Sequence, residues 1–352
     1  MIFAELRVIL WKRKLFTMAK ATIYSIAKKA GLSPATVSKV LNNQGHVSAA
    51  TIAKVQAIVK ETNYKPQQRK QMVQTIGIII FKVDGKPFCD SFMGELMNGI
   101  CSEAFRQGRT ITFINPAEVM NLSPEEFHCY CLNHGIAGVL LSNIAMQDQF
   151  IEKIRLADIP FCVMANIFQE ESIASVGTDN YESTVELLDY VICLGHTQIA
   201  FLGLITDQVE SHRERFRAYL DIHKKHNLTV HDELIIDLPD AENTTIRNEL
   251  IRLMSRPNRP SAIFYCAEAL MKVIPILQGM GIATPENVSI SGYKMMSDEE
   301  LLFPDISAII QPAGEIGSTS VKLLIAKMEH KKVSTVCLKN KIVYGATVRN
   351  LN

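Results

Sequence analysis

The sequence predicts an α/β protein: a small all-α head joined to a two-lobed core in which each lobe is a parallel sheet covered by helices. Three observations predict it. Residues 18–66 carry short helical patterns around a glycine turn, whereas from Thr75 onward apolar strands alternate with amphipathic helices. That alternation runs twice, once before Asn180 and once after it. Charge is divided as well. The net charge of +1 conceals +8 in Met18–Met72, +3 in residues 1–17 and −10 in residues 73–352. A basic head on an acidic body is the balance expected of a nucleic-acid-binding module attached to a separate sensor.

The chain has 352 residues, 47% hydrophobic and 21% charged, which suffices for two or three cored domains and excludes a disordered chain. Residues 1–17, MIFAELRVILWKRKLFT, are expected to lie upstream of a true start at Met18 or to form a weakly amphipathic extension. Their apolar run is broken by Glu5 and Arg7 and is followed by bases, so it makes a poor signal peptide. No stretch reaches the roughly 18 apolar residues of a membrane span. Eight scattered cysteines without a Cys-x-x-Cys pair suit free thiols in a reducing cytoplasm. HCYCLNH, His128 to His134, spaces Cys129 and Cys131 two apart, which points them in different directions on a helix; no metal and no cofactor is expected.

In the head, Thr22 to Ala30 reads as a helix with Ile26, Ala27 and Ala30 inward. Gly31 makes the turn. Ser33 is placed to N-cap a second helix, Pro34 fits its first position, and Val37, Val40 and Leu41 share one apolar face. Ala35, Thr36 and Lys39 point elsewhere, so this helix-turn-helix leaves a small, polar and cationic face free to enter a DNA groove. Ser48 caps a third helix, Ala49 to Thr62, with Ile52, Val55, Ile58 and Val59 inward.

The run TIYSIAKKAGLSPATVSKVLNNQGHVSAATIAKVQAIVKETNYKP, Thr22 to Pro66, resembles the headpiece of the lactose-repressor (LacI/GalR) family of bacterial transcription regulators. The resemblance implies that Ala35, Thr36 and Lys39 lie on the reading helix. It also implies that Thr22, Tyr24, Ser33, Ser38, Asn42, His46, Ser48 and Thr51 contact phosphates or flank the groove. Capping or solvation is the competing role for each of these polar side chains. Pro34 and Ala35 lack hydrogen-bonding side chains and would read shape or a thymine methyl. Only Gln67 to Gln74 lies between head and core, shorter than the family's hinge helix; Met72 and Val73 are the candidates for an apolar wedge in a kinked minor groove.

The core is expected over residues 75–352, with lobe one at about 75–178 and 310–331 and lobe two at about 179–309 and 332–352. Its landmarks VGTDNYESTVELLDYVICLGHTQIAFLG, SHRERFRAYL, GIATPENVSISGY and FPDISAIIQPAGEIGSTSVKLL resemble the family's periplasmic-binding-protein-like core. Open parallel sheets bind ligands outside the carboxyl ends of their strands. That rule selects Phe88, Ser142, Asn166, Arg213, Glu268 and Lys294 as effector candidates. Arg213 matches the family arginine that binds effector hydroxyls. The family often carries Asp or Asn where this chain has Ala165, Ala267 and Lys294. Arg213 and Lys294 on one cleft would favour a phosphate or carboxylate; a neutral sugar or nucleoside, or no small effector, stays open.

No phosphate loop, GxSxG or HExxH motif occurs, and no enzyme activity is expected. The expected partners are double-stranded operator DNA, a small-molecule effector and a second copy of this chain. The ending VYGATVRNLN carries no leucine repeat, so a dimer rather than a coiled-coil tetramer is expected. Two alternatives stand beside this reading: a ligand-binding module with a vestigial headpiece, and a regulator gated by a protein partner.

Overall fold

The computed structural model describes residues 23–33, 36, 37, 40, 48–62, 75–81, 91–238, 242–266, 270–294 and 305–352. The chain divides into two compact units, Met1–Met72 and Val73–Asn352. In the first, α1 spans Ile23–Ala30 and α2 spans Ala49–Glu61. Gly31, at φ +63°, ends α1 in the left-handed region that favours glycine. Leu32 N–H then returns to the Ala27 carbonyl at 3.0 Å. Ser33 Oγ accepts the Thr36 N–H at 3.1 Å, and Thr36, Val37 and Val40 are helical. Ser48 caps α2 in the same way, accepting the Thr51 N–H at 3.3 Å. Ile26, Ala27, Val37, Val40 and Val55 form the buried core, with Leu32, Ile52, Ile58 and Val59 packed around it.

The second unit holds two six-stranded sheets. Lobe one begins with β1 Thr75–Ile80, α3 Ser91–Arg106, β2 Thr110–Phe113, α4 Pro116–Val119 and α5 Pro124–Asn133. It continues through β3 Ile136–Ser142, α6 Gln149–Leu156, β4 Phe161–Met164 and β5 Ala174–Thr178. Lobe two begins with α7 Asn180–Cys193, β6 Ile199–Gly203, α8 Glu210–Lys225 and β7 Ile235–Asp237. It continues through α9 Asn243–Met254, β8 Ala262–Tyr265, α10 Leu270–Gly279, β9 Ser289–Lys294 and β10 Ser307–Ile310. The chain then returns through α11 Ala313–Met328, β11 Val336–Leu338 and β12 Lys341–Val343.

The strands are apolar almost throughout because both faces are covered. On β1, Ile76, Ile78 and Ile80 pack with Leu96 and Ile100 of α3 and Ile316 and Leu324 of α11. Ile79 points the other way, into a core with Phe127 of α5 and Ile154 of α6. Lobe two repeats the scheme, with α9 and α10 on one face and α7 and α8 on the other. Caps set the helix starts: Ser123 and Glu126 form a reciprocal capping box on α5, and Asp148 accepts the Phe150 N–H at the start of α6. Within α5, Cys131 is buried and Cys129 exposed, while His128 Nδ1 donates to the Ala157 carbonyl at 2.8 Å, so HCYCLNH does not converge on one point.

Two features depart from the expected organisation. The first sheet, ordered β11-β5-β4-β3-β1-β2, is parallel throughout and includes β11, paired with β5 through Val336 and Val176. Residues 332–338 therefore belong with lobe one and not with lobe two. A three-residue strand whose partner lies 160 residues upstream leaves no periodic trace. The second sheet, β12-β10-β9-β8-β6-β7, carries one antiparallel edge strand, β12 against β10.

Helices α3 and α11 lie backbone to backbone. A Cβ on Gly99 would sit 1.9 Å from the Gly314 carbonyl oxygen, and one on Gly317 would sit 2.2 Å from the Leu96 oxygen. Neither obstacle is a side chain that can rotate away. Gly317→Ala is expected to push α3 and α11 apart and to cost about 1–3 kcal/mol, read as a lowered urea midpoint; an unchanged midpoint would mean that the helices separate freely.

Candidate functional site

In the headpiece, the hydroxyls of Ser33 and Thr36 lie 2.8 Å apart, as do those of Ser48 and Thr51. Both pairs stand at helix starts, where backbone N–H groups and short hydroxyls suit phosphate oxygens. Lys29 and Glu61 join α1 to α2 through an exposed ion pair at 3.0 Å.

In the core, the chain passes between lobes three times, at Asp179, at Gln311–Pro312 and at Lys339–Asn340. The three passages are bonded together. Asp179 N–H donates to the Leu338 carbonyl at 3.1 Å, and Asn340 N–H donates to Asp179 Oδ1 at 2.7 Å. Lys339 Nζ lies 3.0 Å from Asp179 Oδ2. Gln311 Nε2 donates to Thr178 Oγ1 at 3.2 Å. Arg215 of α8 reaches into this junction and is 3% exposed. Its Nε donates to Asn180 Oδ1 at 3.0 Å, one terminal nitrogen to the Cys266 carbonyl at 3.2 Å and the other to Gln311 Oε1 at 3.1 Å. The guanidinium lies 3.7 Å from the Tyr293 ring centroid, whose hydroxyl shares a 2.9 Å hydrogen bond with Thr184.

A cavity of about 750 Å³ opens between the lobes. Lobe one contributes Met120, the segment Ala145 to Phe150 and Lys153; lobe two contributes Asp207, Gln208 and Arg213. The lining holds two acids, two cations and three glutamines among its described residues. Asp148 is committed to capping α6, and Lys153 Nζ donates to the Met120 carbonyl. Arg213 Nε bonds Glu214 at 3.1 Å, and its side chain is 35% exposed. Among the described residues, two hydrogen bonds cross the cleft beside the cavity: Met146 N–H to the Gln208 carbonyl at 2.9 Å, and Ile167 N–H to Glu210 Oε2 at 3.1 Å. Burial pushes the Glu210 carboxyl up to about 7, with Glu214 adding to the rise and the Ile167 N–H, Arg215 and Arg213 opposing it. Burial and Arg215 hold His212 down at about 3.

Residues 22–67 match the family described as bacterial regulatory proteins, lacI family, and residues 188–348 match a periplasmic binding protein-like domain. The chain carries a lacI-family regulatory headpiece and a periplasmic-binding-protein-like core domain. It is similar to Catabolite control protein A of Priestia megaterium, at 24% identity over 93% of this chain and 99% of that one. It is similar to the HTH-type transcriptional repressor CytR of Escherichia coli (strain K12), at 28% identity over 90% and 92% of the two chains. Among solved structures, the lac repressor dimer bound to operator and the anti-inducer ONPF superposes with a TM-score of 0.66 at 20% identity, over 94% and 99% of the chains. The match extends to both the headpiece and the core, and the chain is a DNA-binding transcriptional regulator.

Of the headpiece positions selected from the sequence, Ser33, Thr36, Ser48 and Thr51 stand at the two helix starts, and Tyr24 lies in α1. Thr22, Pro34, Ala35, Ser38, Lys39, Asn42, His46, Met72 and Val73 lie outside the described residues, as do Phe88 and Glu268 in the core. Of the remaining effector candidates, Arg213 alone lines the cavity. Ser142, Asn166 and Lys294 end or follow strands as expected but are 2%, 2% and 3% exposed and are not part of the cavity lining. The structure thus does not bring Arg213 and Lys294 together on the cavity, which removes the geometric ground for a pocket built on that pair.

Arg215 was missed, although the sequence carries a signal for it. Ser211, Arg215, Ala218, Tyr219 and Ile222 fall at helical spacing and are all buried. The inner stripe of α8 therefore runs through Arg215 and leaves Arg213 toward the cleft. Lysine at 215 would lose the fork that serves three acceptors at once. Arg215→Lys is expected to cost about 2–4 kcal/mol in urea unfolding, and Arg213→Ala to stay within about 0.5 kcal/mol. Equal effects would make the junction indifferent to which arginine is kept.

Proposed function

We propose that the protein is a homodimeric repressor that reads an inverted-repeat operator and answers to a small polar ligand held between the lobes of its core. The observation that carries the ligand half is the 750 Å³ cavity, lined from both lobes and flanked by the two cross-lobe hydrogen bonds. A ligand there touches both moving parts, so it can favour one degree of closure over another. Two identical headpieces about a two-fold axis would place both reading helices on one face of the duplex. Nine Lys and Arg residues in Met18–Met72 make the affinity strongly salt-dependent through counterion release.

In this reading Lys39 supplies base readout, as a cation suited to a guanine acceptor. Lys39→Ala is expected to reduce discrimination between the selected operator and a scrambled duplex by about 1–3 kcal/mol, measured by fluorescence anisotropy at fixed salt. An unchanged ratio of specific to non-specific affinity removes Lys39 from base readout.

For the core, Arg213 is the anchoring side chain, because its terminal nitrogens remain after Nε is spent on Glu214. The test is a thermal-shift screen of the full chain with sugar phosphates, nucleotides and carboxylic acids run against neutral sugars and nucleosides. A ligand at a hundredfold over its Kd should add about 2.7 kcal/mol. Arg213→Ala is expected to abolish that gain and Lys294→Ala to leave it intact. A gain lost in Lys294→Ala but kept in Arg213→Ala would move the site out of the cavity, and silence across the panel would favour a protein partner.

A further inference from the structure

The two hydrogen bonds that cross the cleft differ in kind. Met146 N–H to the Gln208 carbonyl is backbone to backbone and holds nothing that titrates. Ile167 N–H to Glu210 Oε2 ends on a carboxyl group. Glu210 is the first residue of α8, is 7% exposed, and makes no hydrogen bond through Oε1 to another described residue. On its own helix it faces Glu214, which repels its charge, and Arg213 and Arg215, which attract it. From lobe one it faces the Ile167 N–H and, on β11, the Cys337 thiol. One residue before Ile167, the buried Asn166 Oδ1 is an acceptor with no partner. Ala165, at φ +62°, holds the left-handed turn that leads from β4 to these two groups.

We propose that Glu210 is a proton-linked latch: in its neutral form it holds the 165–168 turn of lobe one onto α8, and its ionisation loosens the lobes. The reason is desolvation. An ionised carboxylate shut into this cleft loses water and gains one backbone N–H, while Arg213 bonds Glu214 through Nε and Arg215 is held by the lobe junction. A neutral carboxyl keeps its carbonyl oxygen for the Ile167 N–H and carries no charge to be solvated. Opening returns the group to water, where it titrates in the ordinary carboxylate range.

Closure therefore takes up a proton. Because the closed cleft raises the carboxyl to about 7, its contribution to closure is complete below the open-cleft value and is lost as pH rises through 7. The closed population relative to the open one should fall on the order of a hundredfold across that window. The inference rests on the reading that the lobes are the moving parts, but on no particular ligand.

The test is hydrogen exchange on the full chain without added ligand, from pH 5.0 to 8.5, with rates corrected for intrinsic exchange. Protection of a peptide covering residues 165–170 is expected to fall on the order of a hundredfold in the wild type, while a β3 peptide stays constant. Glu210→Gln keeps an acceptor for the Ile167 N–H and cannot ionise, so its protection should be high and flat. Glu210→Ala should be unprotected at every pH. A flat wild-type profile, a Glu210→Gln profile with the wild-type slope, or full protection in Glu210→Ala would each overturn the latch. None of these readings depends on the ligand screen, so failure there and failure here are separable.

Discussion

The core depends on the junction where three chain passages meet, and Arg215 is the side chain that ties it. One guanidinium supplies donors to the start of α7, to the end of β8 and to Gln311, while its face rests on Tyr293. A buried cation is tolerated when it is paired or hydrogen-bonded, and here Asn180, the Cys266 carbonyl and Gln311 all accept from it. Asp179 performs the complementary task with the opposite charge, accepting the Asn340 N–H and holding Lys339. If the lobes move as proposed, bonds placed at these passages would survive a change in their mutual angle. Contacts farther out, at Met146 and Ile167, must break or form when that angle changes.

Rigidity within each lobe makes this division possible. The strands carry apolar side chains to both faces, so no lobe can bend without exposing one of two cores. In lobe one, α11 brings the chain back from lobe two and lies against α3 so closely that glycine is required at the contact. A motion of the lobe-two strand β10 is therefore delivered to α11, and from there to the sheet beginning with β1, as a displacement of whole elements and not as a local deformation.

Much of this was legible from residue pattern. Periodicity showed the doubled alternation of strands and helices, since parallel strands buried on both faces read as apolar runs and their crossovers read as amphipathic helices. Ser33 and Ser48 were legible as caps because capping is a local matter. What the sequence obscured depended on distant partners. β11 is three residues long and is defined only by its pairing with β5. Arg213 and Arg215 are two apart in a run of charges, and a charged residue on an inner stripe is hard to credit until the acceptors that satisfy it are seen. Lys294 was expected on the cleft because it ends a strand; side-chain alternation and neighbouring chain decide whether such a residue reaches the open space, and here it is enclosed.

These constraints bear on how a ligand can act. A molecule in the cavity changes the protein only if it binds two lobe arrangements with different affinity. The Arg215 junction cannot supply that difference, because its donors are already matched to protein acceptors in the hinged core. Arg213 can, since it sits on lobe two while the opposite wall, Ala145 to Phe150, belongs to lobe one. The same wall contains Met146, whose N–H is spent on Gln208. A ligand that wedges between these segments trades one cross-lobe bond for its own contacts, and one that bridges them adds to it. The sign of the response is then set at the rim of the cleft, by whether the bound molecule replaces the Met146–Gln208 bond or spans it, while the pivot stays the same in both cases.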